Sequence, residues 1–150
     1  MTDTTATTDK SRLAKRLYTA EASAVGGREG HVRSSDGIVD VDVRIPVEMG
    51  GPGGATNPEQ LFAAGYSACF QSALGVVGRR QKVDTSQSTV TAQVTLGTIE
   101  GGAFNIAVAL RVHIPDVDAA RAQELIEAAH AVCPYSNATR GNIEVDLVAV

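Results

Sequence analysis

With 150 residues, 43% of them hydrophobic and 20% charged, the chain has ordinary globular composition and is long enough to bury a core as one domain. A formal net charge of -4, with no block of Lys or Arg beyond the stretch Lys10 to Arg16, lacks the electrostatic footprint of a nucleic-acid binder. Two cysteines are too few for a structural disulfide framework, and in a reducing compartment they are to be read as reactive groups.

Residues 1–16 begin with Thr and Asp and offer little that could dock, which predicts a flexible tail before a single domain over residues 17–150. The same stretch lacks the basic start, apolar run and cleavage site of a secretory signal, so a cytoplasmic location is expected. Leu17 to Ala24 reads as a strand running into Gly26-Gly27-Arg28-Glu29-Gly30, a permissive backbone presenting one long cation. A short strand over His31 to Ser34 and an alternating one over Ile38 to Ile45 are expected to pair across the turn Asp36-Gly37. After the glycine-rich Gly50 to Thr56, Asn57 suits an N-cap, Pro58 the first helical position and Glu59 the positive end of a helix dipole. No charge then occurs until Arg79. Gln60, Ser67, Gln71, Ser72 and the glycines argue for a helix buried in a protein core and against a membrane span.

Thr89 to Gly97 and Ala103 to Ile114 alternate and are joined by Glu100-Gly101-Gly102, which predicts an antiparallel hairpin. A second helix is expected from Asp116 to Cys133, ended by Pro134; a turn over Asn137 to Asn142 and a last strand over Ile143 to Val150 follow. The order of elements predicts an α+β fold with antiparallel sheet.

Cys69 lies midway along the uncharged helix, too far from the N-terminus for the dipole to stabilise a thiolate, so a reactive Cys69 needs a cation beside it. Arg28, in its glycine-bracketed loop, is the best local candidate; Arg44 is on a strand, and Arg79 and Arg80 are placed past the far end of the helix. Glu59 is the natural partner to orient that guanidinium. Glu59 and Cys69 are 69 − 59 = 10 positions apart, about 15 Å of rise on a straight helix. Either the helix is broken, for which Gly65 is a candidate, or the site is assembled from two subunits. The second is favoured by small residues (Ala63, Ala64, Gly65, Ala68 and Ala73) that would permit close helix approach. Singly, each group has a plainer reading: both cysteines as inert core thiols, Arg28 and Glu59 as a solvated loop charge and a helix-start carboxylate. His130, Cys133 and Cys69 could also share a metal ion, but no fourth ligand is evident.

The segments Asn57-Pro58-Glu59-Gln60-Leu61-Phe62-Ala63-Ala64-Gly65-Tyr66-Ser67-Ala68-Cys69-Phe70 and Val132-Cys133-Pro134-Tyr135-Ser136-Asn137-Ala138-Thr139-Arg140-Gly141-Asn142, with the Arg28 loop, resemble the organic hydroperoxide resistance proteins, the Ohr branch of the Ohr/OsmC family. The resemblance spans about residues 17 to 150. It implies an OsmC-like α+β fold, with antiparallel sheets wrapped around two central helices in an intertwined homodimer and active sites at the subunit interface. It implies Cys69 as peroxidatic cysteine, Cys133 as resolving cysteine, and Arg28 and Glu59 as the pair that activates the thiolate. The activity expected from it is reduction of organic hydroperoxides through a Cys69 sulfenic acid and a Cys69–Cys133 disulfide. No cofactor would be bound, and a lipoylated protein would act as external dithiol reductant. Phe62 and Phe70 could line an apolar pocket for the organic group. The alternatives are a cysteine redox sensor or partner-binding protein without turnover, and a non-catalytic dimeric module.

Overall fold

The computed structural model describes residues 9–150, so residues 1–8 of the expected tail lie outside the described residues. The first sheet is formed by β1 (Ala22–Val25), β2 (His31–Ser34) and β3 (Asp40–Asp42), all antiparallel, with Ala22 opposite Ser34 and His31 opposite Asp42. Two of these strands are shorter than their sequence pattern suggests. Residues before Ala22 fall opposite the turn that follows Ser34 and have no strand to pair with, so Leu17 and Tyr18 stay outside β1, 86% and 83% exposed. Ile38 and Val39 alternate correctly, but Asp36 and Ser34 side chains accept their backbone N–H groups at 3.0 and 2.9 Å, drawing both into the turn. Beyond β3, Val43 is buried and bridges to Thr56, tying the sheet to the segment that precedes the long helix.

That helix, α1 (Pro58–Gln81), starts as its residues dictate: Asn57 caps it by accepting from the Gln60 N–H at 2.9 Å, with Pro58 in the first turn. It runs unbroken past Gly65 and ends at Lys82, which adopts the left-handed conformation (φ 57°). The break considered at Gly65 is absent, and Arg79 and Arg80 lie within the last turn of α1, not beyond it. By length and composition α1 could cross a membrane, yet Tyr66, Phe70, Leu74 and Val77 are packed into a protein core.

The second sheet contains β4 (Thr89–Thr98), β5 (Phe104–His113) and β6 (Val145–Ala149) in that order. β4 and β5 form the expected hairpin, with Thr89 opposite His113 and Thr98 opposite Phe104. Between β5 and β6 lie α2 (Ala119–Val132) and α3 (Pro134–Thr139). α2 begins later than its pattern suggests because Asp116 is left-handed (φ 62°), and Asp118 is the cap, accepting from the Arg121 N–H at 2.9 Å. Cys133 is extended (φ −69°, ψ 125°), as the residue before a proline prefers. Pro134 ends α2 and also opens α3, so part of the segment expected to turn is helical. β6 runs parallel to β5, with Val108 opposite Val145 and Val112 opposite Ala149, so this sheet is mixed where antiparallel pairing was expected. The α2–α3 crossover carries the chain back to the start of β5, and that connection produces a parallel neighbour. α1 and α2 cover the sheet, and the core is the contact of Phe70 and Leu74 with Leu110, Val112, Leu125 and Ile126.

Candidate active site

Cys69 is half-buried on the middle of α1, and Cys133 is fully buried at the junction of α2 and α3. Their Sγ atoms are 3.7 Å apart and both thiols are free. The junction is held by a short antiparallel match between α1 and α3: Tyr66 Oη is 2.8 Å from Ser136 Oγ and 3.3 Å from Thr139 Oγ1, all buried. The Tyr135 ring lies beside Phe62 and Tyr66.

Burial pushes the Cys69 thiol above its ordinary pKa, and the neighbouring Cys133 pushes it further, while the Tyr135 backbone N–H favours the thiolate and opposes them. None of these influences is a cation of the same chain. Cys69 opens into a cavity of about 400 Å³ whose walls include Ser72, Val76, Val132 and Pro134, with Arg80 at its rim. Sequence reasoning set Arg80 aside, although 80 − 69 = 11 positions is about three helical turns and places both on one face.

Arg28 and Glu59 form a second constellation. A 3-10 turn at Gly27–Glu29, entered through left-handed Gly26 and Gly27, presents Arg28. Its guanidinium donates two hydrogen bonds to the Glu59 carboxylate, Nη1 to Oε2 at 2.8 Å and Nη2 to Oε1 at 2.6 Å. Through these bonds Arg28 holds Glu59 below its ordinary pKa against the opposing effect of burial. Glu59 borders a cavity of about 490 Å³ with Met49, Ala63, Ala92 and Val94 among its walls. The two cavities share no lining residue. On unbroken α1 the ten-residue separation is about 15 Å, so one chain brings Cys69 to Cys133 and Arg28 to Glu59 but does not join the two pairs.

Among the described residues no three His, Cys, Asp or Glu side chains converge to hold a metal ion, so His130 does not complete a ligand set with Cys69 and Cys133. Its Nδ1 is buried without a hydrogen-bond partner, and burial, then Arg140, lowers its pKa.

Residues 51–148 match the family model described as OsmC-like protein. An organic hydroperoxide resistance protein of Xanthomonas axonopodis pv. citri is 52% identical over 135 residues, covering 89% of this chain and 94% of its own. An uncharacterized protein of Acinetobacter baylyi is 53% identical over 139 residues, covering 92% and 96%. Among solved structures, an organic hydroperoxide resistance protein from Elizabethkingia anophelis, crystallised with thiocyanate bound, superimposes with a TM-score of 0.85 at 55% identity. It covers 90% of this chain and 97% of that one. The corresponding Bacillus subtilis structure gives 0.83 at 47% identity, covering 90% and 100%.

Proposed function

The chain belongs to the OsmC-like family, and from that premise we propose that it is a thiol peroxidase that protects against organic hydroperoxides, as the names of its relatives suggest. The observation that carries this reading is the pair of free thiols with sulfurs 3.7 Å apart, one buried and one open to a cavity. The Cys69 thiolate attacks the outer peroxide oxygen, the O–O bond breaks, an alcohol leaves after taking a proton, and Cys69 becomes a sulfenic acid. Cys133 then attacks that sulfur and water departs, leaving a disulfide that an external dithiol of the lipoyl type reopens by exchange. No bound cofactor is needed for any of these steps.

Cys69 needs a cation, and in its own chain Arg28 is paired with Glu59, whose place on α1 is about 15 Å of helical rise from Cys69. In this reading a second copy of the chain supplies the Arg28–Glu59 pair to Cys69, so that the working unit is a homodimer with composite sites. Exposed Leu17, Tyr18, Val25 and Ile38 on and beside the first sheet are consistent with such a partner. Its place of action would be the cytoplasm, where a lipoylated protein can serve as reductant.

The test is turnover. With dihydrolipoamide as reductant, sustained consumption of an alkyl hydroperoxide is expected from the native chain, none from Cys69→Ser, and a single oxidation with poor recycling from Cys133→Ser. One stoichiometric oxidation of the native protein without turnover would identify a redox sensor instead. Full activity in Cys69→Ser would overturn the mechanism.

A further inference from the structure

Gly65 stands one turn before Cys69 on α1, so the two positions share a face. Against that face lie Cys133 and the start of α3 in antiparallel register: Tyr135 meets Gly65, Ser136 meets Tyr66, and Cys133 meets Cys69. A Cβ at position 65 would stand 2.9 Å from Tyr135 Oη, 3.2 Å from its Cε2 and 3.4 Å from its Cζ. The tyrosine ring therefore rests on α1 only because residue 65 has no side chain. Phe62 and Tyr66 flank the ring with centroids at 5.7 and 5.6 Å, and the residue is otherwise 39% exposed. Its backbone is held as well: the Tyr135 carbonyl accepts from Thr139 Oγ1 at 2.8 Å, and Thr139 in turn lies against Tyr66. A methyl at 65 meets the outer atoms of that side chain, so the ring must shift, and any shift passed on to the backbone of α3 reaches Cys133 directly through Pro134. Gly65 breaks no helix, caps none and has no left-handed backbone to explain it; the seat for Tyr135 is what its missing side chain provides.

We propose that Gly65 is a positioning residue for disulfide closure: by seating the Tyr135 ring on α1 it holds Cys133 within reach of Cys69, and so sets whether oxidised Cys69 is resolved or oxidised again. The proposal rests on the peroxidase reading. In the resolving step the Cys133 sulfur attacks the sulfenic sulfur, the S–O bond breaks, and the oxygen leaves as water with the sulfenic proton and the Cys133 thiol proton. In the competing step a second hydroperoxide gives one oxygen to the sulfenic acid, forming a sulfinic acid, and departs as an alcohol. A disulfide bond is about 2.05 Å long, so the sulfurs must close well over an ångström from their 3.7 Å separation. A displaced α3 lengthens that path and gives the second peroxide time to act.

The experiment compares the full-length native protein with Gly65→Ala, Tyr135→Ala and the double variant Gly65→Ala/Tyr135→Phe, which removes the nearest clashing atom. Rapid mixing with an alkyl hydroperoxide gives the rate of Cys69 oxidation and, separately, the rate of disulfide closure; mass spectrometry gives the sulfinic fraction per turnover. Gly65→Ala is expected to slow closure about tenfold, with Cys69 oxidation changed by no more than about threefold and the sulfinic fraction raised in proportion. The double variant should recover part of the closure rate, a rescue that a general loss of stability would not show. Tyr135→Ala, which keeps the glycine and removes the ring, should also slow closure and serves as the test if Gly65→Ala does not fold. Closure at the native rate in Gly65→Ala or in Tyr135→Ala, or equal slowing of both steps, overturns the proposal. If the native protein itself forms no disulfide with peroxide, the peroxidase reading fails and takes the proposal with it.

Discussion

In the second sheet, β5 turns Val108, Leu110 and Val112 fully into the contact with α1 and α2, whereas no residue of β1, β2 or β3 is buried. The first sheet is held by backbone pairing and by polar links on its open face, notably His31 set between Asp40 and Asp42, and the turn locked by Ser34 and Asp36. It is fastened to the rest of the chain at few places, chiefly buried Val43 and the Arg28–Glu59 pair. Burial of apolar surface is the larger stabilising term, and elements that lack it occupy the low end of local stability. The proposed thiol pair thus rests on the rigid part of the molecule, and the arginine proposed to serve it rides on the part more easily moved. That division suits a pair of thiols that needs fixed geometry to close a disulfide.

The largest effect is expected in the second sheet. Leu110→Ala should cost about 2–5 kcal/mol, since it empties a fully enclosed position, and calorimetry should record a lowered Tm. A loss below about 1 kcal/mol would mean the core is not centred where the burial places it.

A smaller and more local effect is expected from acid. Glu59 has a depressed pKa, so the stability its pair with Arg28 contributes is fully present above the ordinary carboxylate value of 4.5 and is lost as pH falls through the depressed one. Amide hydrogen exchange corrected for intrinsic rate should show protection fading at Gly27–Glu29 over that range while β5 remains protected. Simultaneous loss at both would erase the distinction between the sheets. Glu59→Gln should reproduce the loosened turn at neutral pH.

The smallest effect is expected at His31, whose pKa is raised first by Asp42 and then by Asp40. For a raised group the sign is reversed: the contribution is complete below the ordinary value of 6.5 and fades as pH rises through the elevated value. Exchange at β2 and β3 amides should quicken across that alkaline shift in the native protein and not in His31→Asn. An unchanged profile would leave backbone pairing alone as the support of the first sheet.

Elements governed by local periodicity were legible in the sequence. Alternation placed β4 and β5 to within one residue, and Asn57, Pro58 and Glu59 marked the start of α1, because a cap and a first turn depend on neighbours only a few residues apart. The ends of β1 and β3 were not legible, since they are set by a turn whose side chains compete for the same backbone groups. α3 was missed because Pro134 signals both the end of one helix and the start of another.

Of the candidate site, the identities of Cys69, Cys133, Arg28 and Glu59 came from residue types and motif resemblance, and the 10-position spacing alone warned that one straight helix could not gather them. Tertiary structure decided the rest: that α1 is continuous, that β6 runs parallel to β5, that the sulfurs meet at 3.7 Å, and that Gly65 is the seat of a tyrosine 70 positions away. Sequence encodes periodicity and capping directly, whereas strand direction, close approach and the burial that shifts a thiol's pKa depend on segments far apart in the chain, whose meeting is settled only when the core is packed.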